Sequence, residues 1–326
     1  MLKNIYMYIY IQLIITTKKF SDHIKENIWK TYDCSTVTRT FGFSTIFKMK
    51  LFPRANDQST TTPLKNKSVY ELLSLKGKVC AVTGGSRGIG AEVVDAFASA
   101  GADVAVFYHS TDISGKLGPL NAKYGTNCKA YRCDVTEIAS LDKTVSKIVS
   151  DYGKIDVFVA NAGVAWKGAD ILKESNDQVA VEQWKKFLHQ DVDAVHYSAR
   201  VIGRVFKEQG FGSMIITGSM SGAVVNVPQL QAAYNAAKAF VIQYAKSLAI
   251  EWVGFARVNT VSPGYVSTSL TGSLPKELKD TWNTLIPMGR SALPKELAGA
   301  YLYLASDAAT YTTGSNITVD GGYTAI

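Results

Sequence analysis

Two side chains that could transfer and support a proton lie four residues apart, at Tyr234 and Lys238. The intervening residues include two alanines, which favour a helix, and in a helix this spacing places both side chains on one face. A nearby ammonium group stabilises the phenolate form of a tyrosine, which makes the phenol a usable general acid or base. The same spacing also arises by chance on solvated surfaces, so it predicts chemistry only together with other residues.

Two serines precede this tyrosine at the predicted end of a strand. The apolar run 214–217 leads into Ser219 and Ser221. Side chains at the carboxyl ends of parallel strands face the crevice in which such sheets bind ligands. Either hydroxyl could therefore donate a hydrogen bond to a substrate carbonyl oxygen, although serines also serve as ordinary turn caps.

A glycine-rich segment, TGGSRGIG at residues 83–90, follows the apolar run 79–82 and precedes a predicted helix. A strand, a glycine turn and a helix in this order present free backbone N–H groups and a helix amino end to a pyrophosphate. The spacing differs from the usual G-x-G-x-x-G fingerprint. Its placement nevertheless favours a dinucleotide site over a plain loop.

The end of the second predicted strand indicates which dinucleotide is bound. An NAD site requires an acid there for the ribose hydroxyls, but residues 104–107 run into Tyr-His-Ser-Thr. Ser110 could donate to a 2′-phosphate and Arg87 could pair with it. Asp112 lies slightly farther on and is interpreted as a solvated loop acid. The sequence therefore predicts NADPH rather than NADH.

From residue 76 onward, short apolar runs alternate with helix-length segments. The predicted strands are 79–82, 104–107, 129–132, 157–160, 214–217, 257–261 and 317–319, and the predicted helices include 91–100, 141–151, 181–207, 236–252 and 295–305. Strands separated by crossover helices imply a parallel sheet covered on both faces. We predict an α/β fold: a doubly wound, Rossmann-type parallel sheet of about seven strands in a single catalytic domain, residues 75–326.

The amino-terminal part has a different composition. Residues 1–76 carry 12 Lys and Arg against 5 Asp and Glu, whereas residues 77–326 carry 23 against 22. The nearly neutral domain argues against a nucleic-acid partner. Residues 1–48 are predicted to be an extension absent from the mature protein, with Met49 as the start, and 49–74 a flexible polar linker. A targeting or membrane-associated segment is the alternative, since residues 5–16 are apolar but shorter than the roughly 20 residues that span a bilayer.

The four cysteines, Cys34, Cys80, Cys128 and Cys133, form no C-x-x-C motif. Neither a metal site nor a redox dithiol is predicted, and so few cysteines in a chain of this length suit a reducing compartment. We therefore expect a cytoplasmic protein with no membrane partner.

Taken in order, these motifs resemble the short-chain dehydrogenase/reductase family over residues 75–326. The resemblance implies that Ser219, Tyr234 and Lys238 are catalytic. The family's adenine-contacting acid, its N-A-G motif and its nicotinamide loop match further segments of the chain. The implied cofactor site consists of Thr83, Gly84, Ser86, Arg87, Gly88, Ile89, Gly90, Ser110, Asp134, Val135, Asn161, Ala162, Gly163, Tyr234, Lys238, Pro263, Gly264, Val266 and Thr268.

Several segments resemble in particular the family's fungal ketose and polyol reductases, the branch of sorbose reductases, mannitol 2-dehydrogenases and related carbonyl reductases. They are VFVANAG (157–163), VNVPQLQ (225–231), SLAIEW (247–252), VNTVSPGY (258–265) and YTTGSNITVDGGY (311–323). In that branch the serine stands fifteen residues before the tyrosine, which favours Ser219 over Ser221. The family's catalytic asparagine appears here as Asp191, which we assign to the proton relay.

The resemblance implies hydride transfer from NADPH to the carbonyl of a ketose or small ketone, reversibly oxidising a polyol or secondary alcohol. Trp166, residues 226–230 and residues 269–287 are the predicted substrate wall. The alternatives are a 3-oxoacyl-thioester reductase, an NAD-linked arabinitol dehydrogenase and a non-catalytic dinucleotide-binding protein. Relatives commonly assemble as homotetramers or homodimers, so an oligomer of this chain is expected.

Overall fold

A computed structural model describes residues 64, 66–166, 170–268, 271 and 274–326. The predicted extension, residues 1–48, lies outside the described residues, as does most of the predicted linker, residues 49–74. The described end of that linker forms a short helix, α1 (Val69–Leu73), whose start is capped reciprocally by Ser68 and Glu71. In the part of the chain that the structure describes, no helix has the length and apolar character needed to cross a bilayer.

Seven parallel strands form one sheet in the order β3-β2-β1-β4-β5-β6-β7. Their bounds are β1 Val79–Val82, β2 Asp103–Tyr108, β3 Lys129–Arg132, β4 Val157–Ala160, β5 Ser213–Thr217, β6 Arg257–Pro263 and β7 Asn316–Val319. The order reverses beside β1, which creates a crevice at the carboxyl ends of β1 and β4. This sheet confirms the predicted doubly wound fold.

Helices connect the strands and cover both faces of the sheet. They are α2 Gly88–Ser99, α3 Ser114–Tyr124, α4 Ile138–Tyr152, α5 Asp177–Leu188, α6 Ala194–Gln209, α7 Ala232–Glu251, α8 Lys276–Leu285 and α9 Lys295–Ala305. Helix α3, which was not predicted, contains two glycines and Pro119, all weak helix formers. Its packing on the sheet through the buried Leu117 outweighs that weak propensity.

The strand side chains alternate between two hydrophobic cores. One core joins the residues on one face, such as Val104 and Val106, to α2, α3 and α9. The other joins the residues on the opposite face, such as Ala105 and Phe107, to α4, α6 and α7. Because both faces of the sheet are buried, the central strands β1 and β4 consist of apolar residues alone, VCAV and VFVA, and polar residues follow at their carboxyl ends.

The helix predicted over residues 181–207 is interrupted. Helices α5 and α6 are separated by one turn of π-helix, His189–Asp193, and Asp191 in this turn is buried. The hydrophobic pattern of residues 181–207 is continuous and predicts one α-helix. In the π-helical turn, however, each backbone hydrogen bond spans one residue more than in an α-helix. This local change determines where Asp191 lies in the site.

Candidate active site

The glycine turn packs against the loop that follows β4. A Cβ atom on Gly90 would overlap the Gly84 carbonyl and lie 2.6 Å from the Asn161 side-chain nitrogen. The Asn161 amide in turn donates to the carbonyl of Thr83, at 3.0 Å. Only glycine allows this approach, so the ends of β1 and β4 form one rigid cradle.

Thr83 holds the same two loops together. Its buried hydroxyl accepts the backbone N–H groups of Asn161 and Ala162, at 2.9 and 3.0 Å, and donates to the Val159 carbonyl at 3.2 Å. All three hydrogen bonds of this hydroxyl are made to backbone groups. Thr83 therefore holds the predicted cofactor site together but does not line its cavity.

A cavity of about 380 Å³ opens above this cradle. Thirteen predicted cofactor residues line it: Gly84, Ser86, Arg87, Gly88, Ile89, Gly90, Ser110, Asp134, Val135, Asn161, Ala162, Gly163 and Thr268. Within the described residues, no side chain caps the amino end of α2, which faces this cavity. The free N–H groups and the glycine floor are what a pyrophosphate requires, so the cavity fits a dinucleotide.

The remaining predicted cofactor residues lie outside this cavity. Pro263 ends β6, the Gly264 N–H donates to the Val319 carbonyl, and Val266 is bridged to Ala292. They belong to the loop that continues from β6 towards α8. Tyr234 and Lys238 are on α7.

His109, Ser110 and Thr111 line the cavity just after β2, and Arg87 lines the same cavity from the glycine turn. Asp112 accepts the backbone N–H and hydroxyl of Ser114, at 2.8 and 2.6 Å, and does not line the cavity. This placement agrees with the interpretation of Asp112 as a loop acid. The wall thus offers hydrogen-bond donors where an NAD site would present a carboxylate.

Sequence reasoning missed several side chains on this wall. His109 approaches the Asp134 carboxylate, at 3.5 Å between Nε2 and Oδ2. Hydrogen bonds from Thr136 lower the pKa of Asp134, and the charge of His109 acts in the same direction. Other lining residues that were not predicted are Phe107, Tyr108, Thr111, Cys133, Val164 and Gln190. Most of them lie at or just after strand ends, which is the signal that could have identified them.

The two predicted serines form a buried 3₁₀ turn after β5. Ser219 Oγ accepts the Ser221 N–H and donates to Ser221 Oγ, both at 3.1 Å. A Cβ atom on Gly222, the next residue, would lie 2.6 Å from the Lys238 carbonyl. The turn that carries the serines therefore packs directly on the helix that carries the tyrosine and lysine.

Lys238 is buried and paired with Asp191. The distance from Nζ to Oδ2 is 3.0 Å, and both side chains are almost fully shielded from solvent. The other carboxylate oxygen of Asp191 accepts the Val164 N–H at 2.8 Å. Burial by itself lowers the pKa of Lys238, but the Asp191 carboxylate and then Tyr234 raise it, and the net shift is upward.

The Lys238 ammonium also lies 5.4 Å from the centre of the Tyr234 ring. Tyr234 belongs to a small apolar cluster around Phe187 that includes Trp166, one of the predicted substrate-wall residues. The Trp166 and Phe187 rings meet edge to face at 5.2 Å. The structure thus brings together the predicted Tyr234, Lys238, Asp191 and Trp166.

Other predicted wall residues form a second cluster beside the serine turn. Asn226 is buried and donates from Nδ2 to the Tyr265 hydroxyl at 3.2 Å. Tyr265 stacks on Trp282 with ring centres 4.1 Å apart. Val227 and Leu230 point to solvent, and residues 269, 270, 272 and 273 of the predicted wall lie outside the described residues.

Comparisons with known proteins agree with this geometry. A family model of short-chain dehydrogenases/reductases, described as enoyl-(acyl carrier protein) reductase, matches residues 84–324. The chain is 52% identical over 274 residues to a sorbose reductase of Candida albicans, covering 83% of this chain and 96% of the relative. It is 47% identical over 259 residues to an NADP-dependent mannitol dehydrogenase of Alternaria alternata, covering 78% of this chain and 94% of the relative.

A solved structure, the NADPH-dependent 3-quinuclidinone reductase from Rhodotorula rubra, is similar in fold. Its TM-score is 0.77 at 41% identity, over 82% of this chain and 99% of that one. The family match extends over strands β2 to β7, nearly all of the glycine turn and the helix with Tyr234 and Lys238. The chain therefore belongs to the short-chain dehydrogenase/reductase family.

Proposed function

We propose that this protein is an NADP-dependent oxidoreductase that reduces the carbonyl of a ketose or small ketone. The observation that carries the proposal is the packing of the buried Ser219 turn on the helix that holds Tyr234 and Lys238. A protein that binds a dinucleotide without catalysing a reaction does not require an ammonium group next to a phenol. Because burying a charge costs free energy, a buried ammonium group at this position indicates a catalytic role. A reductase needs both groups.

When bound, NADPH supplies the hydride that adds to the carbonyl carbon. The roles of the chain's own residues follow from their chemistry. Ser219 donates a hydrogen bond to the carbonyl oxygen and holds it in place. Tyr234 transfers its hydroxyl proton to that oxygen, and Lys238 stabilises the phenolate that remains.

Two features of the cavity, and the NADP-dependent relative from Alternaria alternata, support NADP as the cofactor. Ser110 lines the cavity just after β2, Arg87 lines it from the glycine turn, and Asp112 is hydrogen-bonded to Ser114. The cavity wall after β2 thus presents donors and no carboxylate to a 2′-phosphate.

The relatives from Candida albicans and Alternaria alternata, a sorbose reductase and an NADP-dependent mannitol dehydrogenase, are named for ketose and polyol chemistry. We infer that the substrate of this chain is of the same class.

The cluster of Asn226, Tyr265 and Trp282 suits such a substrate. Burial raises the pKa of Tyr265, so its hydroxyl stays protonated and able to donate. We propose that this cluster and Trp166 form the substrate wall. A polyhydroxylated chain offers hydrogen bonds to the amide and hydroxyl, and its C–H faces pack on the rings.

We further propose a cytoplasmic homo-oligomer whose catalytic domain is residues 75–326. Cys80, Cys128 and Cys133 are free thiols, which suits a reducing compartment. On the outer side of α7, Phe240 is partly exposed and stacks on Tyr244 with ring centres 5.2 Å apart. Aromatic side chains at the surface are enriched in contacts between subunits. Residues 1–48 are proposed to be absent from the mature protein.

The test is the replacement Tyr234→Phe, assayed for NADPH oxidation with a panel of ketoses and simple ketones. We expect turnover to fall about a hundredfold or more, because general acid catalysis contributes roughly 10²–10⁴. NADPH binding, followed by fluorescence titration, should change little. Tyr311→Phe, which removes a hydroxyl from a fully exposed tyrosine, is the matched control. Retained turnover in Tyr234→Phe would refute the proposal.

A further inference from the structure

A tyrosine hydroxyl is buried in the core between α9 and the sheet. Tyr301 is fully shielded from solvent and belongs to the hydrophobic core on the α9 face. Its hydroxyl lies 2.8 Å from the hydroxyl of Thr217, the last residue of β5. A buried hydroxyl costs free energy unless it is hydrogen-bonded, so each of these two groups depends on the other.

The register of the sheet brings Thr217 to a residue of the glycine cradle. Strands β4 and β5 are parallel, and their pairing continues so that Asn161 lies beside Thr217. Thr217 Oγ1 donates to Asn161 Oδ1 at 3.3 Å. On its other side, Asn161 Nδ2 donates to the carbonyls of Thr83 and Gly84, at 3.0 and 3.4 Å. Tyr301, Thr217 and Asn161 thus form a hydrogen-bond chain that runs from α9 to the glycine turn.

The chemistry of the groups fixes the direction of each hydrogen bond in this chain. A threonine hydroxyl has one proton, and Thr217 gives it to Asn161 Oδ1, because an amide oxygen can only accept. Thr217 must therefore accept its other hydrogen bond, and Tyr301 must donate it. Burial raises the pKa of Tyr301, so its hydroxyl keeps that proton at neutral pH. With its oxygen held by Thr217, the Asn161 amide presents its N–H groups to the glycine turn.

We propose that Tyr301 and Thr217 are positioning residues that hold the Asn161 amide in the orientation that keeps the glycine turn in its dinucleotide-binding shape. Neither residue lines the cavity, so they act on cofactor binding through Asn161. The inference rests on the proposed binding of NADPH in this cavity. The orientation matters because the turn presents carbonyl oxygens to Asn161: an N–H group binds them, whereas an amide oxygen would be left facing other acceptors.

The close fit of the turn explains why cofactor binding depends on this orientation. A Cβ atom on Gly90 would lie 2.6 Å from Asn161 Nδ2, so the turn has little room for an amide that rotates. An amide without its partner would push the turn out of shape for part of the time. A site that is competent for about one-tenth of the time binds its ligand about tenfold more weakly. Bound cofactor restores the shape, so the rate at saturation is unaffected.

The experiment measures the Kd of NADPH by fluorescence titration in the full-length protein, with kcat and the melting temperature as parallel readouts. Thr217→Val keeps the branched shape of the side chain but removes the donor to Asn161. We expect the Kd of NADPH to rise about tenfold, while kcat at saturating NADPH stays within about twofold of the wild type. Thr217→Ser, which retains the hydroxyl, should bind NADPH as the wild type does.

Tyr301→Phe removes only the first hydroxyl of the chain. Thr217 then keeps its proton but loses the bond that orients it, so the Kd of NADPH should rise about threefold. If Tyr301 acts through Thr217, the two substitutions are not additive. The double variant should bind NADPH no more weakly than Thr217→Val alone, because the bond from Tyr301 no longer has an effect to transmit.

Two matched controls remove similar hydrogen bonds that do not lead to the glycine turn. Thr260→Val, in β6, removes a hydroxyl that donates to the side-chain oxygen of Asn316 at 2.8 Å. Tyr303→Phe, on α9, removes a hydroxyl that lies 2.8 Å from the hydroxyl of Thr312. Both controls should lower the melting temperature as the test variants do, but leave the Kd of NADPH unchanged.

Three results would overturn the inference: an unchanged Kd in the folded variants of the chain, even where the melting temperature and kcat fall; an equal rise in the controls; or additive effects in the double variant. If Thr217→Val does not fold, Tyr301→Phe and its control Tyr303→Phe give the answer. A wild type that binds NADPH but reduces no ketone refutes the proposed reaction and leaves this inference testable, since the Kd needs no turnover. A wild type that does not bind NADPH refutes both.

Discussion

The two halves of the crevice at the strand ends differ in what forms them: one is mainly backbone groups and the other mainly side chains. After the end of β1, the wall is largely backbone: a glycine turn, an uncapped helix start and N–H groups. After β5, on α7 and in the π-helical turn, it consists of side chains, namely the buried Ser219, Lys238 and Asp191 and the partly buried Tyr234. The first half suits a ligand bound by its phosphates, and the second suits a reaction that moves a proton.

This difference has a physical consequence for mutation. A backbone site depends on close approach, so added volume damages it while most changes of polar side chains do not. A site of buried polar side chains depends on matched partners, so removing one group leaves another unsatisfied without changing the chain path.

The largest effect is expected for Gly90→Ala in the backbone half. The added methyl group would overlap the Gly84 carbonyl and press on the Asn161 side chain, so the cradle must open. We expect a loss of about 1–3 kcal/mol in the free energy of unfolding, the usual cost of overpacking. Binding of NADPH should be nearly abolished. Thermal unfolding and fluorescence titration measure the two effects.

Gly118→Ala is its control. Gly118 lies within α3, and a Cβ atom there would meet nothing within 4 Å. Alanine is favoured over glycine in a helix by roughly 0.5–1 kcal/mol, so this variant should be slightly more stable. If both variants behaved alike, the close approach at Gly90 would not be what builds the site.

Ser110→Asp is predicted to have the next largest effect. A carboxylate on the cavity wall at the end of β2 would repel a 2′-phosphate and suit the free ribose hydroxyls of NADH. We expect kcat/KM for NADPH to fall at least about tenfold, since charges a few ångströms apart interact by roughly 1–4 kcal/mol. Ser110→Ala should show only the small loss of one hydrogen bond. An unchanged cofactor preference in the aspartate variant would place the 2′-phosphate elsewhere.

The sequence was sufficient for the backbone half because its signals are local. The strand 79–82, the glycine turn and the following helix are adjacent in the chain, and their order alone predicts the cradle. The same is true of the sheet, where apolar runs mark the strands. The alternation of side chains between the two cores follows directly from strand geometry.

The side-chain half was only partly predictable because its contacts join distant segments. Tyr234 and Lys238 share a helix, and their spacing is visible in the sequence. The ion pair from Lys238 to Asp191 depends on a π-helical turn that no residue pattern predicts. The pairing of His109 with Asp134 requires two adjacent strands to end side by side. Such contacts are tertiary, so propensity and periodicity contain no information about them.

The smallest effect is predicted for Asn226→Ala, at the substrate end of the side-chain half. The Asn226 amide donates to the Tyr265 hydroxyl, and Tyr265 in turn stacks on Trp282. Removing the amide frees that hydroxyl and takes one polar group from the proposed wall. We expect KM for a polyhydroxylated ketose to rise about tenfold, the equivalent of one hydrogen bond of about 1 kcal/mol or slightly more. KM for NADPH should stay unchanged, because the amide is not on the cavity wall.

The matched control for this variant is Val225→Ala, since Val225 is the adjacent residue and is largely exposed. A simple ketone without hydroxyl groups serves as the second substrate. If Asn226 recognises substrate hydroxyls, the variant should lose kcat/KM for the ketose and keep it for the simple ketone. An equal loss for both substrates would mean that Asn226 only supports the fold around Tyr265. In that case the side-chain half would contain the catalytic groups but not the groups that select the substrate.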